Sequence, residues 1–324
     1  MRYALGIDGG GTKCEAALVG ETGEVVGWGR GGPIHTYYHP PEVIFASYAD
    51  AFRGALGEVK ADELWVAGIA PEGPPREALE AASAKVHQVK ADEIESAYAS
   101  AQQSWGLVVL AGTGSFVHGR TPEGRDLHWG GMGPVLNDYG SAYEIGLRGL
   151  RAAFASRWTE SRRTRLAQAI PAAMGLPDLQ TVFRRVYAKP MTRDEVAALA
   201  RVVDKEAEQG DAVAVQCLLA AADELANLAC DLIQELGLAD AELPVIPVGS
   251  VARRCRIWWE RVCARIGQVA PRMRAVIPPL LPATGAALIG LRAMGVEWTP
   301  EVIARAVESE AKVRAEKGMD GHLS

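Results

Sequence analysis

The chain has 324 residues, of which 48% are hydrophobic and 23% charged, and its formal net charge is -6 at pH 7. This composition is that of an ordinary globular protein, and the length exceeds the usual size of one hydrophobic core, so we expect two domains. The acidic balance provides no positive field for nucleic acid or for an anionic membrane surface, so we expect neither as a partner.

The first residues and the cysteines indicate a compartment. The chain enters a glycine run at residue 9, and the preceding segment is too short for a secretory signal or a membrane span. The 5 cysteines are an odd number without a CxxC pair, which predicts neither a disulfide framework nor a metal cluster. We therefore expect a cytoplasmic protein with reduced thiols.

Short strands joined by glycine-containing turns open the chain, and the same order returns about a hundred residues later. The two groups of predicted strands cover residues 3–7, 14–19 and 25–28, and then 107–111, 116–119 and 127–129. This duplication indicates that one β-meander is used twice.

The remaining chain is mostly helical in its apolar periodicity. Helices are predicted at residues 42–56, 76–84, 93–103, 141–156, 162–174, 179–186, 193–208, 212–236, 257–265, 284–294 and 301–317, and strands at 64–69 and 244–248. Helices follow strands in both halves, so the sequence predicts an α/β protein.

A glycine-rich turn separates the first two strands. Gly9, Gly10 and Gly11 precede Thr12 and Lys13, and consecutive glycines let backbone N–H groups face an anion without Cβ atoms in the way. In the Walker motif the lysine precedes the hydroxyl residue, whereas here Lys13 follows Thr12. The position of the last glycine in the dinucleotide-binding fingerprint is occupied by Cys14. The turn is thus a candidate phosphate loop, with a glycine hairpin that binds no ligand as the alternative.

A second turn of the same kind joins the first two strands of the second meander. Gly112, Thr113, Gly114 and Ser115 combine glycine backbone with hydroxyl side chains, and two such turns suit a cleft that holds a polyphosphate from both sides. Asp8, at the end of the first strand, is the carboxylate placed to orient Mg²⁺ near those phosphates.

A third glycine-rich stretch leads into the helix at residue 141. Its glycines Gly131 and Gly133 flank Met132, and the carboxylate of Asp138 follows. Flexible backbone beside a carboxylate suits a polyhydroxylated ligand; the alternative is that Asp138 is a turn residue and Ser141 a helix N-cap.

Several of these segments resemble the N-acetylglucosamine kinase branch of the sugar kinase and actin-like superfamily, the branch that includes the BadF/BadG/BcrA/BcrD ATPases. GIDGGGTK and LAGTGS are similar to the two phosphate loops of that family, GGMGPVLNDYGSAYEIG is similar to its sugar-site run, and PVGSV is similar to its adenosine motif. The resemblance covers roughly the first 150 residues well and the remainder more thinly.

The resemblance implies a two-lobed, actin-like ATPase fold of the ribonuclease H type, with the ligand cleft between its lobes. The lobes would cover residues 1–113 and 114–283, with helix 284–298 packing back on the first lobe and a helical tail at 299–324. Carried over by position, Thr12 and Thr113 would contact ATP phosphates, Gly131 to Gly133 and Asp138 would line the sugar site, and Ala197, Gly249 and Ser250 would border adenosine.

Two positions depart from the family pattern. The catalytic aspartate of the family falls on Glu93, with Asp92 beside it, and the sugar-binding asparagine falls on His35. A glutamate carboxylate lies about one methylene further out, and a displacement of about 1 Å can cost on the order of 10²-fold in rate. Glu93 is nevertheless the candidate catalytic base, with Asp8 as its partner in the active site.

The resemblance implies an ATP- and Mg²⁺-dependent kinase that phosphorylates an amino sugar such as N-acetylglucosamine or a related hexose, and that forms a homodimer. Two alternatives stay open: an activator ATPase that drives the redox chemistry of a partner, and a divergent sensor that binds ATP or sugar without turnover. Sugar-dependent ADP release distinguishes the kinase from both.

Overall fold

The structure is a computed structural model that describes residues 1–36, 38–68 and 74–317. The chain divides into two compact units: unit 1 is Met1–Ser104 with Pro278–Ser324, and unit 2 is Trp105–Ile277. The lobe boundaries expected at residues 113 and 283 stay a prediction. Residue 69, the end of a predicted strand, and residues 318–324 of the predicted tail lie outside the described residues.

Strands and helices alternate along both units. The strands are β1 (Arg2–Gly9), β2 (Cys14–Gly20), β3 (Val25–Gly31), β4 (Glu63–Ala67), β5 (Val86–Val89), β6 (Gly106–Ala111), β7 (Ser115–Arg120), β8 (Asp126–Gly130), β9 (Pro244–Val248) and β10 (Arg274–Ala275). The helices are α1 (Pro41–Leu56), α2 (Pro74–Ala82), α3 (Glu93–Ala101), α4 (Ala142–Ala155), α5 (Leu166–Ala173), α6 (Leu179–Ala188), α7 (Arg193–Ala198), α8 (Ala200–Glu208), α9 (Ala212–Leu236), α10 (Ser250–Arg254), α11 (Arg256–Val269), α12 (Pro282–Ala293) and α13 (Pro300–Glu316).

The two units contain the same sheet. The strand order is β3-β2-β1-β4-β5 in unit 1, and β8-β7-β6-β9-β10 in unit 2. In each sheet the first three strands of the unit form an antiparallel meander. The fourth strand pairs in parallel with the first, and the fifth pairs in parallel with the fourth. The duplicated meander and the α/β class predicted from the sequence are therefore confirmed.

Helices cover both faces of the sheet in unit 1. Successive residues of β1 face opposite sides: Leu5 belongs to a core shared with Phe52 of α1, whereas Ala4 packs with Leu288 of α12. A Cβ at Gly6 would collide with the backbone of α12, so this glycine permits the helix to lie directly on the strand. α12 thereby packs on the face of β1 opposite α1 and supports the strand that leads into the first glycine turn.

The central helix of unit 2 is α9. By length and composition it is apolar enough to span a membrane. Its buried residues, among them Leu218, Leu225 and Leu232, recur at helical spacing and belong to the hydrophobic core of the unit. Asp211 caps its beginning through the amide of Ala214 at 3.0 Å, and Gly237 ends it in the left-handed conformation.

Two predicted helices differ from the structure, and two short strands were not predicted. The helix expected at 193–208 is interrupted at Leu199, and the helix expected at 162–174 begins only at Leu166, after a short 3-10 turn at Glu160–Arg162. The strands β5 and β10 contain no buried residue, so they lack the alternation of buried apolar and exposed polar residues by which a strand is predicted.

Candidate active site

The two glycine turns are built alike in their backbone hydrogen bonds. The Gly10 amide closes the first turn by donating to the Lys13 carbonyl at 2.9 Å, and the Gly112 amide closes the second by donating to the Gly114 carbonyl at 2.9 Å. The carbonyl of each glycine accepts a hydrogen bond from beyond the meander: Gly10 from Ile34 at 3.0 Å and Gly112 from Ala142 at 2.8 Å. Gly10 and Gly112 are therefore equivalent positions of the duplicated unit.

Neither Gly10 nor Gly112 is required by its own conformation or packing. Both have φ outside the left-handed region, and a Cβ added at either position meets no heavy atom within 4 Å. Each turn thus keeps an open face where any other residue would place a side chain. Such a face, beside glycine and hydroxyl-bearing residues, fits the phosphate groups of a nucleotide.

Two carboxyl groups of unit 1, those of Asp8 and Glu93, have raised pKa values. Burial and then the negative charge of Glu15 raise the pKa of Asp8 to about 6, while the charge of Lys13 opposes the shift. Glu93 is an exposed residue by its surface area, yet desolvation of its carboxyl group, followed by the charges of Asp8 and Asp92, raises its pKa to about 8. Both predicted catalytic carboxylates thus titrate near neutral pH, which is typical of acid–base groups in active sites.

Glu93 is the first residue of α3, and Asp92 caps that helix. The Asp92 carboxylate accepts the amide of Glu95 at 2.8 Å, so its side chain is used in the cap. The carboxylate of Glu93 has no such capping contact to hold it. Of the two adjacent candidates for a base, Glu93 is the one whose side chain is available for chemistry.

The buried Glu15 fixes the cations around Asp8. Glu15 pairs in register with Asp8 across β1 and β2, and its carboxylate binds Lys13 and Arg30, the latter at 2.8 Å. These two cations hold the pKa of Glu15 below its ordinary value against the effect of burial. Lys13, predicted as a phosphate ligand, is therefore anchored at the turn by an ion pair that the sequence motif does not reveal.

His35 lies in the loop that bonds to the first turn. It follows Ile34, whose amide binds Gly10, and its carbonyl accepts the amides of Tyr38 and His39 at 3.2 Å each. Its ring lies 4.7 Å from the ring of Tyr38, and His39 Nε2 lies 3.2 Å from the Gly11 carbonyl oxygen. The structure thus brings His35 to the same part of unit 1 as the predicted phosphate loop and Asp8.

Asp138 lies under the second turn in an ion pair. Its carboxylate accepts Arg193 Nη2 at 2.6 Å and the Gly133 amide at 3.2 Å, and only 3% of the side chain is exposed. A Cβ at Gly114 would collide with both partners of this pair, which explains the second glycine of the turn. Asp138 is therefore adjacent to the predicted phosphate loop, and both of its oxygens already have partners.

The remaining glycine-rich loop is tied to the same turn. The Ser115 hydroxyl donates to the Tyr139 carbonyl at 2.6 Å, and the Gly131 amide donates to the Ser115 carbonyl at 2.9 Å. Met132 is 66% exposed and its amide binds Asn137 Oδ1 at 3.0 Å. The glycine-rich loop predicted for the sugar site and the second phosphate loop are thus one connected structure in unit 2.

The three residues predicted at adenosine lie in two places. Gly249 has a φ of 86°, and a Cβ there would stand 2.5 Å from the Ala111 carbonyl oxygen, so its glycine lets β9 and α10 meet the second turn. Ser250, the first residue of α10, is exposed beside it. Ala197 is 7% exposed and packs in the core of unit 2.

Sequence patterns missed two residues around these turns, Arg193 and Arg30. Arg193 is 55 positions from Asp138 along the chain, and Arg30 is 15 positions from Glu15. Both pair with a carboxylate on another element, and no local motif signals such a pairing.

The candidate ligands for Mg²⁺ are few. The described residues contain no group of three or more His, Cys, Asp or Glu able to hold a metal. One or two carboxylates with substrate phosphates are the usual Mg²⁺ environment, which Asp8 fits.

Comparisons with known proteins place the chain among ATPases and sugar kinases in sequence. A model of the BadF/BadG/BcrA/BcrD ATPase family matches residues 5–290. An N-acetylmuramic acid/N-acetylglucosamine kinase from Clostridium acetobutylicum is 24% identical over 300 residues, which cover 89% of this chain and 98% of that protein. An N-acetyl-D-glucosamine kinase from Dictyostelium discoideum is 29% identical over 189 residues, 58% of this chain and 59% of that protein.

Solved structures show the same fold. A structure from Chromobacterium violaceum, described as a candidate N-acetylglucosamine kinase, has a TM-score of 0.66 at 20% identity and covers 90% of this chain and 99% of its own. A ROK family glucokinase from Streptomyces griseus, solved with glucose and AMPPNP, has a TM-score of 0.55 at 16% identity, with coverage of 90% and 98%. The α/β fold class predicted from the sequence is confirmed by this likeness.

Proposed function

Because the chain belongs to the BadF/BadG/BcrA/BcrD ATPase family, we propose that it is an ATP-dependent kinase that phosphorylates a hydroxyl group of an amino sugar such as N-acetylglucosamine. The observation that carries this proposal is the pair of equivalent turns, each with an open glycine face, together with the titrating carboxyl groups of Asp8 and Glu93 beside the first turn. The sugar kinases among the relatives support the acceptor class.

Glu93 acts as the base in this proposal. It accepts the proton of the acceptor hydroxyl, and a pKa near the working pH is the most effective value for that task. Asp8, whose pKa is about 6, is mostly ionised at neutral pH and is suited to hold Mg²⁺ through water. When bound, Mg·ATP supplies the phosphoryl group and neutralises part of its charge.

The two turns bind phosphate oxygens in this proposal. Gly9, Gly10, Gly11, Thr12 and Lys13 contribute amides, a hydroxyl and a cation in unit 1. Their equivalents in unit 2 are Gly112, Thr113 and the amide of Ser115, whose hydroxyl is engaged with Tyr139. Gly249 and Ser250, which adjoin the second turn, and Ala197, which is buried in the core of unit 2, are proposed to border adenosine.

The acceptor contacts are proposed on two loops. His35 and Glu93 contribute from unit 1, and Gly131, Met132, Gly133 and Asp138 contribute from unit 2. Asp138 acts there as a fixed acceptor, because its ion pair with Arg193 holds the carboxylate in one orientation. A homodimer in the cytoplasm, with Mg²⁺ as the metal, completes the proposal.

The decisive experiment is ADP release from Mg·ATP with a panel of sugars: N-acetylglucosamine, glucosamine, N-acetylmannosamine and glucose. The proposal expects release that depends on one or two amino sugars, and loss of the signal when Mg²⁺ is chelated. Slow hydrolysis that no sugar accelerates, with ATP binding intact, would contradict it. Light scattering of the same preparation checks the dimer.

A further inference from the structure

A backbone corner from Tyr139 to Ala142 joins the glycine-rich loop of unit 2 to helix α4. The Tyr139 carbonyl accepts the Ser115 hydroxyl at 2.6 Å, and the Ala142 amide donates to the Gly112 carbonyl at 2.8 Å. Both bonds attach the corner to the second turn. Between them lies Gly140, whose φ of 73° is in the left-handed region, so the backbone changes direction at this glycine.

The amide of Gly140 is held by a side chain of the helix that follows. It donates to Glu144 Oε2 at 2.6 Å, while the Glu144 amide donates to the hydroxyl of Ser141, the N-cap of α4, at 3.2 Å. This pair of bonds resembles a capping box in which the glutamate reaches one residue further back. A Cβ at Gly140 would stand 2.8 Å from the Ala221 carbonyl oxygen, so the corner also lies directly against α9.

Arg148 and Glu224 fix the orientation of the Glu144 carboxylate. Arg148 Nη2 donates to Glu144 Oε1 at 2.6 Å and to Glu224 Oε1, on α9, at 2.6 Å. The side chains of Glu144 and Arg148 are 20% and 28% exposed, so solvent screens this pair less than a surface ion pair. The two oxygens of Glu144 thus have separate partners, one the backbone of the corner and the other an arginine held from α9.

We propose that Glu144 is a positioning residue for the sugar acceptor, because its bond to Gly140 sets the place of Asp138 two residues earlier. The inference rests on the proposed function, in which Asp138 contacts the sugar. Asp138 and Glu144 line the same cavity of about 300 Å³. The bonds between the corner and the second turn do not use the Glu144 side chain, so its loss should weaken binding of the acceptor and leave binding of ATP intact.

Two variants separate the reach of this side chain from its charge. Glu144→Gln keeps the length and an oxygen that can accept the Gly140 amide, and it removes the charge. Glu144→Asp keeps the charge, and it is one methylene too short for the same bond. In calorimetry without ATP, we expect Glu144→Asp to raise the Kd of N-acetylglucosamine about 5- to 20-fold, part of the effect of losing one hydrogen bond to a charged group, and Glu144→Gln to raise it less than about 3-fold.

Binding of Mg·ATP is the second readout. Both variants should bind it with a Kd within about 2-fold of the wild-type value, and their kcat at saturating sugar should stay within about 3-fold, since only the acceptor affinity changes. Glu260→Asp is the matched control, because Glu260 forms an ion pair at the same spacing with Arg256 on the exposed side of α11. It should leave both Kd values unchanged.

The opposite order, in which Glu144→Asp retains sugar affinity and Glu144→Gln loses it, would overturn the inference, because the side chain would then act through its charge. Unchanged affinity in both variants, or equal losses of sugar and ATP binding, would also overturn it. Sugar binding in the expected order without ADP release would support the inference and contradict only the kinase proposal. A wild-type protein that binds no sugar of the panel would contradict both.

Discussion

Replacement of Gly10 by alanine separates ligand binding from folding. An added Cβ meets no heavy atom within 4 Å, and φ at this position is outside the left-handed region, so the folded state accommodates alanine without strain. Removing the freedom of a glycine in the unfolded chain then stabilises the protein by about 0.4–1 kcal/mol. Gly10→Ala should therefore be as stable as the wild-type protein or slightly more stable.

Binding of ATP should change in the opposite direction. The new methyl group occupies the open face of the turn, where we propose that phosphate oxygens bind, and hydrogen bonds to charged groups contribute about 1.5–3 kcal/mol each. Loss of one such bond raises the Kd of ATP roughly 10- to 100-fold. Gly112→Ala at the equivalent position should show the same combination of retained stability and weakened binding.

The assay pairs urea unfolding with calorimetric titration of Mg·ATP. Gly267→Ala is the matched control, because Gly267 lies inside α11 and an added Cβ there also meets nothing within 4 Å; it should gain about 0.5–1 kcal/mol and bind ATP normally. If Gly10→Ala binds ATP with the wild-type Kd, the open face of the first turn is not a phosphate site and the reasoning fails.

Further predictions concern the carboxylates. Glu93→Gln should lower kcat by about 10²- to 10⁴-fold and retain ATP binding, whereas Asp92→Asn, which preserves the helix cap, should leave most activity; equal losses in steady-state assays would contradict the assignment of the base. The kcat/KM of the wild-type enzyme should rise from below pH 6 to above pH 8, as Asp8 and then Glu93 lose their protons, and a flat profile would exclude both roles. Because folding raises the pKa of Glu93 from 4.5 to about 8, this group lowers the free energy of unfolding progressively as the pH rises between those two values. Thermal melts should therefore find Glu93→Gln more stable than the wild-type protein at pH 9 and equal to it near pH 4. Arg193→Met leaves Asp138 buried without its cation, and urea unfolding of unit 2 should show a loss of about 3–5 kcal/mol; a loss below about 1 kcal/mol would mean that water or another group compensates the charge.

Much of the fold could be predicted from local patterns. Alternating apolar residues and glycine turns located all six meander strands within a few residues, and apolar periodicity located α9 at its observed ends. The repeat of strand, glycine turn and strand predicted the duplication that the two sheets confirm. These features depend on the pleat of a strand, the period of a helix and the φ freedom of glycine, and each of them is a property of a few consecutive residues.

The surroundings of the candidate site required the tertiary structure. The chain order indicates that Asp138 follows a glycine loop, and only the fold shows that Arg193 reaches it from helix α7 and that the pair fills the space beneath Gly114. The same holds for the raised pKa of Glu93, which comes from desolvation and from Asp8 on a different element. Burial and pairing of charges depend on residues that are distant in the chain, so turn chemistry and periodicity identify the loops of this protein while packing decides which side chains in them remain available to a ligand.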